Sequence, residues 1–490
     1  MPPILYFFLS LAALFLGYLL YGRLVDRIFR PDRNRLTPAL AMEDDVDYMP
    51  LPNRELFLNQ FLSISAIGPV FGPLMGVLYG PAALLWIVLG CIFAGGVHDY
   101  FSGMMSLRYR GESMPDVVGY ILGPVFKLFM RLFSLLLLVL VGVVFAQAPA
   151  QLIDSVTRVE NDAIIWLVLI FSYYFLATIL PIEVIISRFN PFFTVILAVM
   201  ALGVFGGLLL GDHQFYNWVA WDRPHPQGLP LWPLMFITIA CGALSGFHAT
   251  QSPITARCLC DERLGRQVFY GAMILEGCIA LVWATAGMTL YQSSEALQAA
   301  LDAGGPAAVV RSVSLTLLGD VGGLLAVLGV VALPITSGDT AFRAARLVVA
   351  DFLKLPQKNV FSRLVIAVPL FAVAIYLTQV DFEIIWRYFG WSNQTLATIV
   401  LWTGGAYLVR LGACHWIATL PAAFMTAVVV SYIFYVDLGL GLPYRDSVAA
   451  GLAVALATLA LFLACRRRFR ETVPYELEYC PPPAKAAAEL

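Results

Sequence analysis

Thirteen stretches of the chain are long and apolar enough to cross a bilayer as helices, because a hydrocarbon core of ~30 Å takes about 20 residues rising 1.5 Å each. They lie near 3–22, 57–78, 81–107, 125–148, 163–187, 190–211, 231–253, 267–291, 321–350, 361–379, 392–410, 414–436 and 446–465. Polar positions gather in short connections between them. The longest, residues 23–56, mixes arginines with Glu43, Asp44, Asp45 and Asp47 and reads as a solvated linker. Residues 212–230 and 292–320 read as loops that cap the opposite face. The first run has no basic residue before it and arginine-rich sequence after it, so it reads as an anchor and not a cleaved signal.

Composition agrees with this pattern. Hydrophobic residues make up 60% of the 490, charged residues 13%, and the mean hydropathy is +0.81. A soluble globular chain carries about 25% charge, so a water-soluble enzyme is excluded, as is a disordered chain. A net charge of −2 offers no basic face for nucleic acid. Four of the eight cysteines, Cys91, Cys241, Cys278 and Cys465, fall in apolar runs and read as small hydrophobes. Cys258 and Cys260 form an isolated C-x-C without the further ligands a metal site needs.

Lysine and arginine concentrate on the cytoplasmic side of membrane proteins. With the N-terminus outside, 25 of the 30 fall in inner segments, and only Arg158, Arg223, Arg311, Arg387 and Arg445 fall outside. The expected topology is therefore thirteen spans, N-terminus out and C-terminus cytoplasmic.

Two spans carry break signals. The second contains Gly68-Pro69 and Gly72-Pro73, where proline removes amide donors and disfavours helix at the preceding residue. The seventh contains Gly242, Gly246 and Ser252-Pro253. Broken helices survive at membrane depth only where they line a protein cavity. Because the two lie five spans apart, they cross in opposite senses, as in a 5+5 inverted repeat whose discontinuous helices meet at a midplane substrate site. Residues 57–211 form the first five-helix repeat and 231–410 the second; 1–22 and 414–465 are peripheral helices, and 466–490 a cytoplasmic tail.

Ionisable groups inside spans mark pathways or buried pairs. His98 and Asp99 lie in the third span, on a small polar stripe of Gly95, Asp99, Ser102, Gly103 and Ser106. Asp99 fits a proton path or a pair with Arg108 or Arg343. Thr336, Ser337, Asp339 and Thr340 interrupt the ninth span with oxygen groups suited to a hard cation or a proton. His248 sits at the seventh span's break as a candidate substrate contact, and imidazole titrates near neutrality. Glu276 and Glu183 are further candidates. Ser392-Asn393-Gln394 opens the eleventh span, where amides bind substrate or join helices. No phosphate loop, nucleophile triad or metal-ligand cluster stands out.

These residues carry a resemblance. Gly68-Pro69, Gly72-Pro73, Ala94-Gly95-Gly96-Val97-His98-Asp99, the run Phe236 to His248, Tyr270-Gly271-Ala272-Met273 with Glu276, Asp339-Thr340 with Arg343 and Arg346, and Gly390-Trp391-Ser392-Asn393-Gln394 resemble the carbon starvation protein A family of bacterial and archaeal inner-membrane transporters. The resemblance implies proton-driven uptake of peptides or pyruvate under carbon limitation, with no organic cofactor. It also implies kinship with the amino acid–polyamine–organocation superfamily and its leucine-transporter-like 5+5 fold. The chain departs from the family in its shorter length, in His98 where glutamine is usual, and in Ala249-Thr250-Gln251-Ser252-Pro253.

The expectation is an all-α polytopic membrane symporter for a small carboxylate-bearing solute, coupled to H⁺ or to Na⁺. Exposed amides near Val70 and Gly72, with Ser65, Gly68, Ser245, Gly246, His248, Asn393 and Gln394, are expected to bind substrate. Ala66, Asp99, Glu276, Thr336, Ser337, Asp339 and Thr340 are expected to carry the coupling ion. The rivals are a channel of the same architecture and an intramembrane enzyme pairing Glu276 with His248.

Overall fold

The computed structural model describes residues 3–44, 47–157, 162–179, 196, 199–211, 225–291, 293–355 and 359–471. Glu183, Arg158, Arg188 and Arg223, the end of the fifth expected span and the start of the sixth lie outside these residues, as does the tail from 472. The described chain is all-helical. By length and apolarity alone eight helices could cross a membrane, or nine if one bent pair counts as a single span.

In chain order the helices are α1 (Pro3–Phe29), α2 (Pro38–Ala41), α3 (Asn53–Ile64), α4 (Gly68–Gly76), α5 (Ala82–Gly90), α6 (Gly96–Arg108), α7 (Met114–Leu122), α8 (Pro124–Thr157) and α9 (Asp162–Ile179). Then follow α10 (Val199–Leu210), α11 (Leu231–Thr238), α12 (His248–Ala256), α13 (Gly271–Leu290), α14 (Ser294–Leu353), α15 (Val360–Leu377), α16 (Phe382–Arg410), α17 (Trp416–Tyr435) and α18 (Tyr444–Glu471). Helices α5 and α6 join through a π turn at Cys91–Gly95, and a second π turn at Arg266–Tyr270 leads into α13.

Both breaks fall in the expected spans. Helices α3 and α4 are bent by 49° around residues 65–67. The seventh span unwinds over residues 239–247, between α11 and α12. The two run in opposite senses. The bent pair starts beside Leu51, whose amide donates to the Cys258 carbonyl at 3.3 Å, and continues to Tyr79, whose ring lies 4.6 Å from that of His225. The α11–α12 span starts six residues after His225 and returns to Cys258.

The breaks also touch each other. A β-carbon on Gly68 would stand 2.3 Å from Cys241 Cβ, and one on Gly72 would stand 3.0 Å from the Thr238 carbonyl oxygen. The obstacle at Gly68 is a β-carbon held by its backbone and not a flexible chain end. Gly68→Ala should therefore destabilise the protein by about 1–3 kcal/mol through overpacking. Thermal unfolding in detergent checks this, and Gly68→Ala/Cys241→Gly should recover part of the loss.

Three expectations need correction. Residues 292–320 are not a loop: from Ser294 the chain is helical, kinked at Gly305 (φ 68) and Gly319 (φ 67), where glycine takes a left-handed conformation at little cost. The eleventh span begins at Phe382, ten residues before Ser392. Asp381 caps it by accepting from the Glu383 amide at 2.8 Å, and Ile385, Trp386 and Phe389 bury one face while Glu383 and Arg387 pair on the other. Helix α4 starts at Gly68, so the amides near Val70 and Gly72 expected to be exposed fall inside it, because Pro69 takes its first turn, where a missing amide costs nothing.

The expected linker is shorter than 23–56, because 23–29 continue α1 and 53–56 open α3; the residues between, about half of them exposed, are pinned as a strap across the arginine-rich face. Thr37 and Ala39 are buried. Tyr48 donates to the Arg110 carbonyl, and its ring lies beneath the Arg257 guanidinium. The anchoring group is Glu262, fully buried, which receives Arg108 at 3.1 Å, Arg35 at 3.3 Å and the Asp32 amide at 2.8 Å.

Candidate functional site

Unwinding residues 239–247 frees backbone groups at depth, and each must find a partner. Helix α16 supplies them. Asn393 Oδ1 accepts from the Phe247 amide at 2.7 Å and from Ser245 Oγ at 3.3 Å. Gln394 Nε2 donates to the carbonyls of Phe236 and Ala240 at 3.0 and 3.5 Å. Both amide side chains are fully buried. They hold the break open, and of their polar atoms only Gln394 Oε1 has no partner among the described residues.

The packing there is close. A β-carbon on Gly246 would stand 2.2 Å from the Asn393 carbonyl oxygen. On the other broken span, the amides of Val70 and Phe71 donate to the Ile67 carbonyl, so Val70 offers no free donor. Ser65, 1% exposed in the α3–α4 break, has an Oγ with no partner among the described residues.

Directly behind the unwound stretch lies a line of ionisable groups from three helices. His248, the first residue of α12, places Nδ1 2.8 Å from Asp99 Oδ2 on α6 and Nε2 3.3 Å from Glu276 Oε2 on α13. The other Asp99 oxygen lies 2.7 Å from His98 Nδ1. All four side chains are fully buried. The polar stripe of α6 faces this line: Ser102 Oγ donates to Ser252 Oγ at 3.0 Å, and a β-carbon on Gly95 would strike the Ala243 carbonyl. Asp99 therefore pairs with histidines, and Arg108 goes to Glu262 instead.

The arrangement constrains the protons. A neutral imidazole donates through one nitrogen only. Nδ1–H donates to Asp99, and the second proton of the line sits either on His248 Nε2, as an imidazolium, or on Glu276; the two groups approach to 3.3 Å, but neither Nε2 nor the Glu276 carboxylate makes a hydrogen bond of good geometry among the described residues. The two forms contain the same two protons and interconvert by one transfer along a 3.3 Å contact. Removing either proton leaves a nitrogen lone pair facing a carboxylate in a dry interior, which is costly.

The remaining candidates form a separate group. Asp339 on α14 accepts from Tyr173 on α9 at 2.8 Å and from Thr340 at 2.9 Å. Ser337 is buried in the same turn. Ala66 lies in the α3–α4 break, and Thr336 is helical. Glu262 and Tyr173 were missed by sequence reasoning, and no spacing or composition signal marks either.

Opposite the arginine-rich face, a cavity of about 810 Å³ opens between α4, α11, α16 and the end of α17. Its floor includes Met75, Ile237 and Thr238, where α11 ends and the unwound stretch begins. The first piece of α14, with Gln298 and Leu301, forms one wall. The site thus has an open cavity on one side, a broken-helix centre, and an ionisable line behind it.

The sequence model for the family described as carbon starvation protein CstA matches residues 3–158, 153–318 and 299–432. An uncharacterised membrane protein of Haemophilus influenzae is 42% identical over 353 residues, 62% of this chain and 95% of that protein. The peptide transporter CstA of Bacillus subtilis is 28% identical over 56% of this chain and 57% of its own length. The pyruvate/proton symporter BtsT of Escherichia coli is 27% identical over 54% of this chain and 46% of its own. The chain thus spans about half the length of these two transporters.

Among solved structures, a manganese transporter of Eremococcus coleocola superposes with a TM-score of 0.53 at 14% identity, covering 88% of this chain and all of that one. Mhp1, a nucleobase-cation-symport-1 family transporter in a closed conformation, gives 0.53 at 15% identity over 87% of this chain and 94% of its own. The fold is the leucine-transporter-like helical architecture, and the chain is a multi-pass membrane protein whose relatives are transporters.

Proposed function

Because the chain belongs to the carbon starvation protein CstA family, we propose that it is a secondary active transporter importing a small carboxylate-bearing nutrient, pyruvate or a short peptide, by proton symport during carbon starvation. The membrane is the bacterial or archaeal cytoplasmic membrane. The arginine-rich face is cytoplasmic, so the N-terminus is outside, the C-terminus inside, and the cavity opens outward. Thirteen spans in two inverted five-helix repeats account for the opposed broken helices.

The observation that carries this reading is the buried Asp99–His248–Glu276 line directly behind the unwound helix. Substrate enters from the cavity and its carboxylate meets the broken-helix centre, where the Ser65 hydroxyl, Ser245 and the Gly246 backbone are its contacts. Asn393 and Gln394 shape the centre by holding the unwound backbone. The proton resides on the His248–Glu276 contact. Its release leaves an uncompensated lone pair against a carboxylate, so release waits until rearrangement of α12 admits water. That links proton release to the change of access. His98 fixes the other oxygen of Asp99 and keeps the aspartate aligned.

Gradient-driven uptake into proteoliposomes tests the reading, with labelled pyruvate and a set of dipeptides under imposed proton or sodium gradients. A proton gradient should drive accumulation of at least one of them. Accumulation driven by sodium alone would move coupling to Ala66, Thr336, Ser337 and Thr340, and absence of accumulation under any gradient would refute symport. Glu276→Gln keeps a donor toward His248 but cannot release a proton. It should preserve substrate exchange at equal concentrations while lowering gradient-driven accumulation by about tenfold or more.

A further inference from the structure

The outward cavity is wider than a passage for a three-carbon acid requires. At about 810 Å³ it falls in the ~300–1,000 Å³ range of sites that enclose drug-sized ligands. Its walls are rich in flat aromatic surface, including Tyr79, Trp386, Tyr432 and Tyr435. Two buried polar atoms of the lining have no partner among the described residues, the acceptor Gln298 Oε1 on the α14 wall and the donor Trp386 Nε1 among the aromatic rings. Trp386 is 4% exposed, packs against Phe71, Phe382 and Phe389, and its Nε1–H donates to nothing among the described residues. A buried donor left unmade is costly, so that position favours a ligand acceptor.

The neighbouring charge has the matching sign. Arg387, the next residue, lines the same cavity and is tied only loosely to Glu383, at 3.4 Å with both side chains more than half exposed. His225 supplies no competing charge. Burial, with the Arg387 cation second, pushes its imidazole down to about 4. Its Nδ1 accepts from the Gln227 amide at 3.2 Å, which leaves Nε2 as the ring's donor. The acidic groups of the cavity, Glu383 and Asp437, are both exposed at its rim.

We propose that this cavity is a ligand site in its own right, outside the broken-helix centre, for organic monocarboxylates with a flat apolar body of one or two rings. The ring body stacks among the tyrosines, where offset or edge-on aromatic contacts are favourable. The carboxylate pairs with the Arg387 guanidinium, displacing Glu383, and Trp386, whose Nε1 is covered in this structure, turns its N–H toward the same carboxylate on binding. A ligand so held blocks the approach to Thr238 and the unwound stretch.

The test uses the full chain in lipid nanodiscs with three probes of one shape: 2-naphthoate, the neutral 2-naphthamide and the cationic 2-naphthylmethylamine. Naphthoate should bind saturably, and the amide and the amine about tenfold or more weaker, as loss of a charge-assisted bond implies. Arg387→Gln and Trp386→Phe should each weaken naphthoate binding by about tenfold at unchanged melting temperature. Arg387 is exposed, so its variant decides the matter even if Trp386→Phe disturbs packing. Equal binding of the three probes, preference for the amine, or unchanged affinity in the Arg387 variant would overturn the proposal. Binding is read without gradients and should persist in Glu276→Gln, so its failure is distinct from failure of proton symport.

Discussion

His248→Ala is expected to cost the protein about 3–5 kcal/mol of stability and all gradient-driven uptake. The imidazole lies between Asp99 Oδ2 and Glu276 Oε2, at 2.8 and 3.3 Å, and both carboxylates are fully buried. Deleting it leaves two acidic side chains facing a small void, and neither can be hydrated without opening the packing around α12. The measurement is thermal unfolding of purified protein beside proteoliposome uptake. His248→Gln separates the two effects, since a carboxamide brings an NH2 donor end and an oxygen acceptor end at similar reach: it should recover much of the stability while coupling stays lost. An unchanged melting temperature together with normal uptake in His248→Ala would remove the ionisable line from the mechanism.

Glu262→Ala should be of comparable size, for a different reason. Arg108 is 3% exposed and places Nε and Nη2 3.2 and 3.1 Å from the Glu262 carboxylate. Its remaining contacts, the Tyr407 hydroxyl, the Arg30 carbonyl and the Phe29 ring, are neutral. Without Glu262 a buried guanidinium loses its counter-charge, again about 3–5 kcal/mol, and a second substitution, Arg108→Leu, should return part of it. The strap should loosen as well, because Glu262 also holds Arg35 and the Asp32 amide. Two native thiols report on it: Cys258 and Cys260 each rest 3.8 Å from a strap carbonyl, of Asp47 and Leu51. Peptide-resolved maleimide labelling of both should quicken by about tenfold, the scale of opening a local contact worth ~1.4 kcal/mol. Unchanged labelling would mean that the strap is held elsewhere.

Much of this architecture is visible in the residues. Gly-Pro pairs and glycine runs locate both breaks because each acts on the backbone locally, without tertiary help. Exact helix starts are less visible. Pro69 reads as a breaker, but a proline at the first turn starts a helix as readily as it ends one. Residues 382–391 hide in their charges: Glu383 and Arg387 lower the apolar average, although one turn apart they pair and leave the other face buried. Residues 294–320 look like a loop because glycine and proline punctuate them, whereas the chain uses those glycines only at kinks.

The site was half visible. His248, Asp99 and Glu276 each stand out as ionisable groups in apolar surroundings, but their joining spans up to 177 positions and depends on how α6, α12 and α13 pack. For Asn393 and Gln394 the residues suit either ligand or backbone, and only the Phe247 amide and the Phe236 and Ala240 carbonyls beside them decide it.

The two π turns bear on how this site tolerates change in chain length. Each precedes an acidic residue of the ionisable line, Cys91–Gly95 before Asp99 and Arg266–Tyr270 before Glu276, and Tyr270 of one donates to the Ile92 carbonyl of the other at 2.7 Å. A π turn holds one residue more than the α-helical turn it replaces. Loss of a single residue from either would let the helix close into regular form while turning everything on one side of it by about 100° relative to the other. Asp99 or Glu276 would then swing away from His248 with no change in its identity. In these two helices residue number is as much a determinant of the site as residue type, so the family's functional register should be read by counting along the turn as well as by matching the acid.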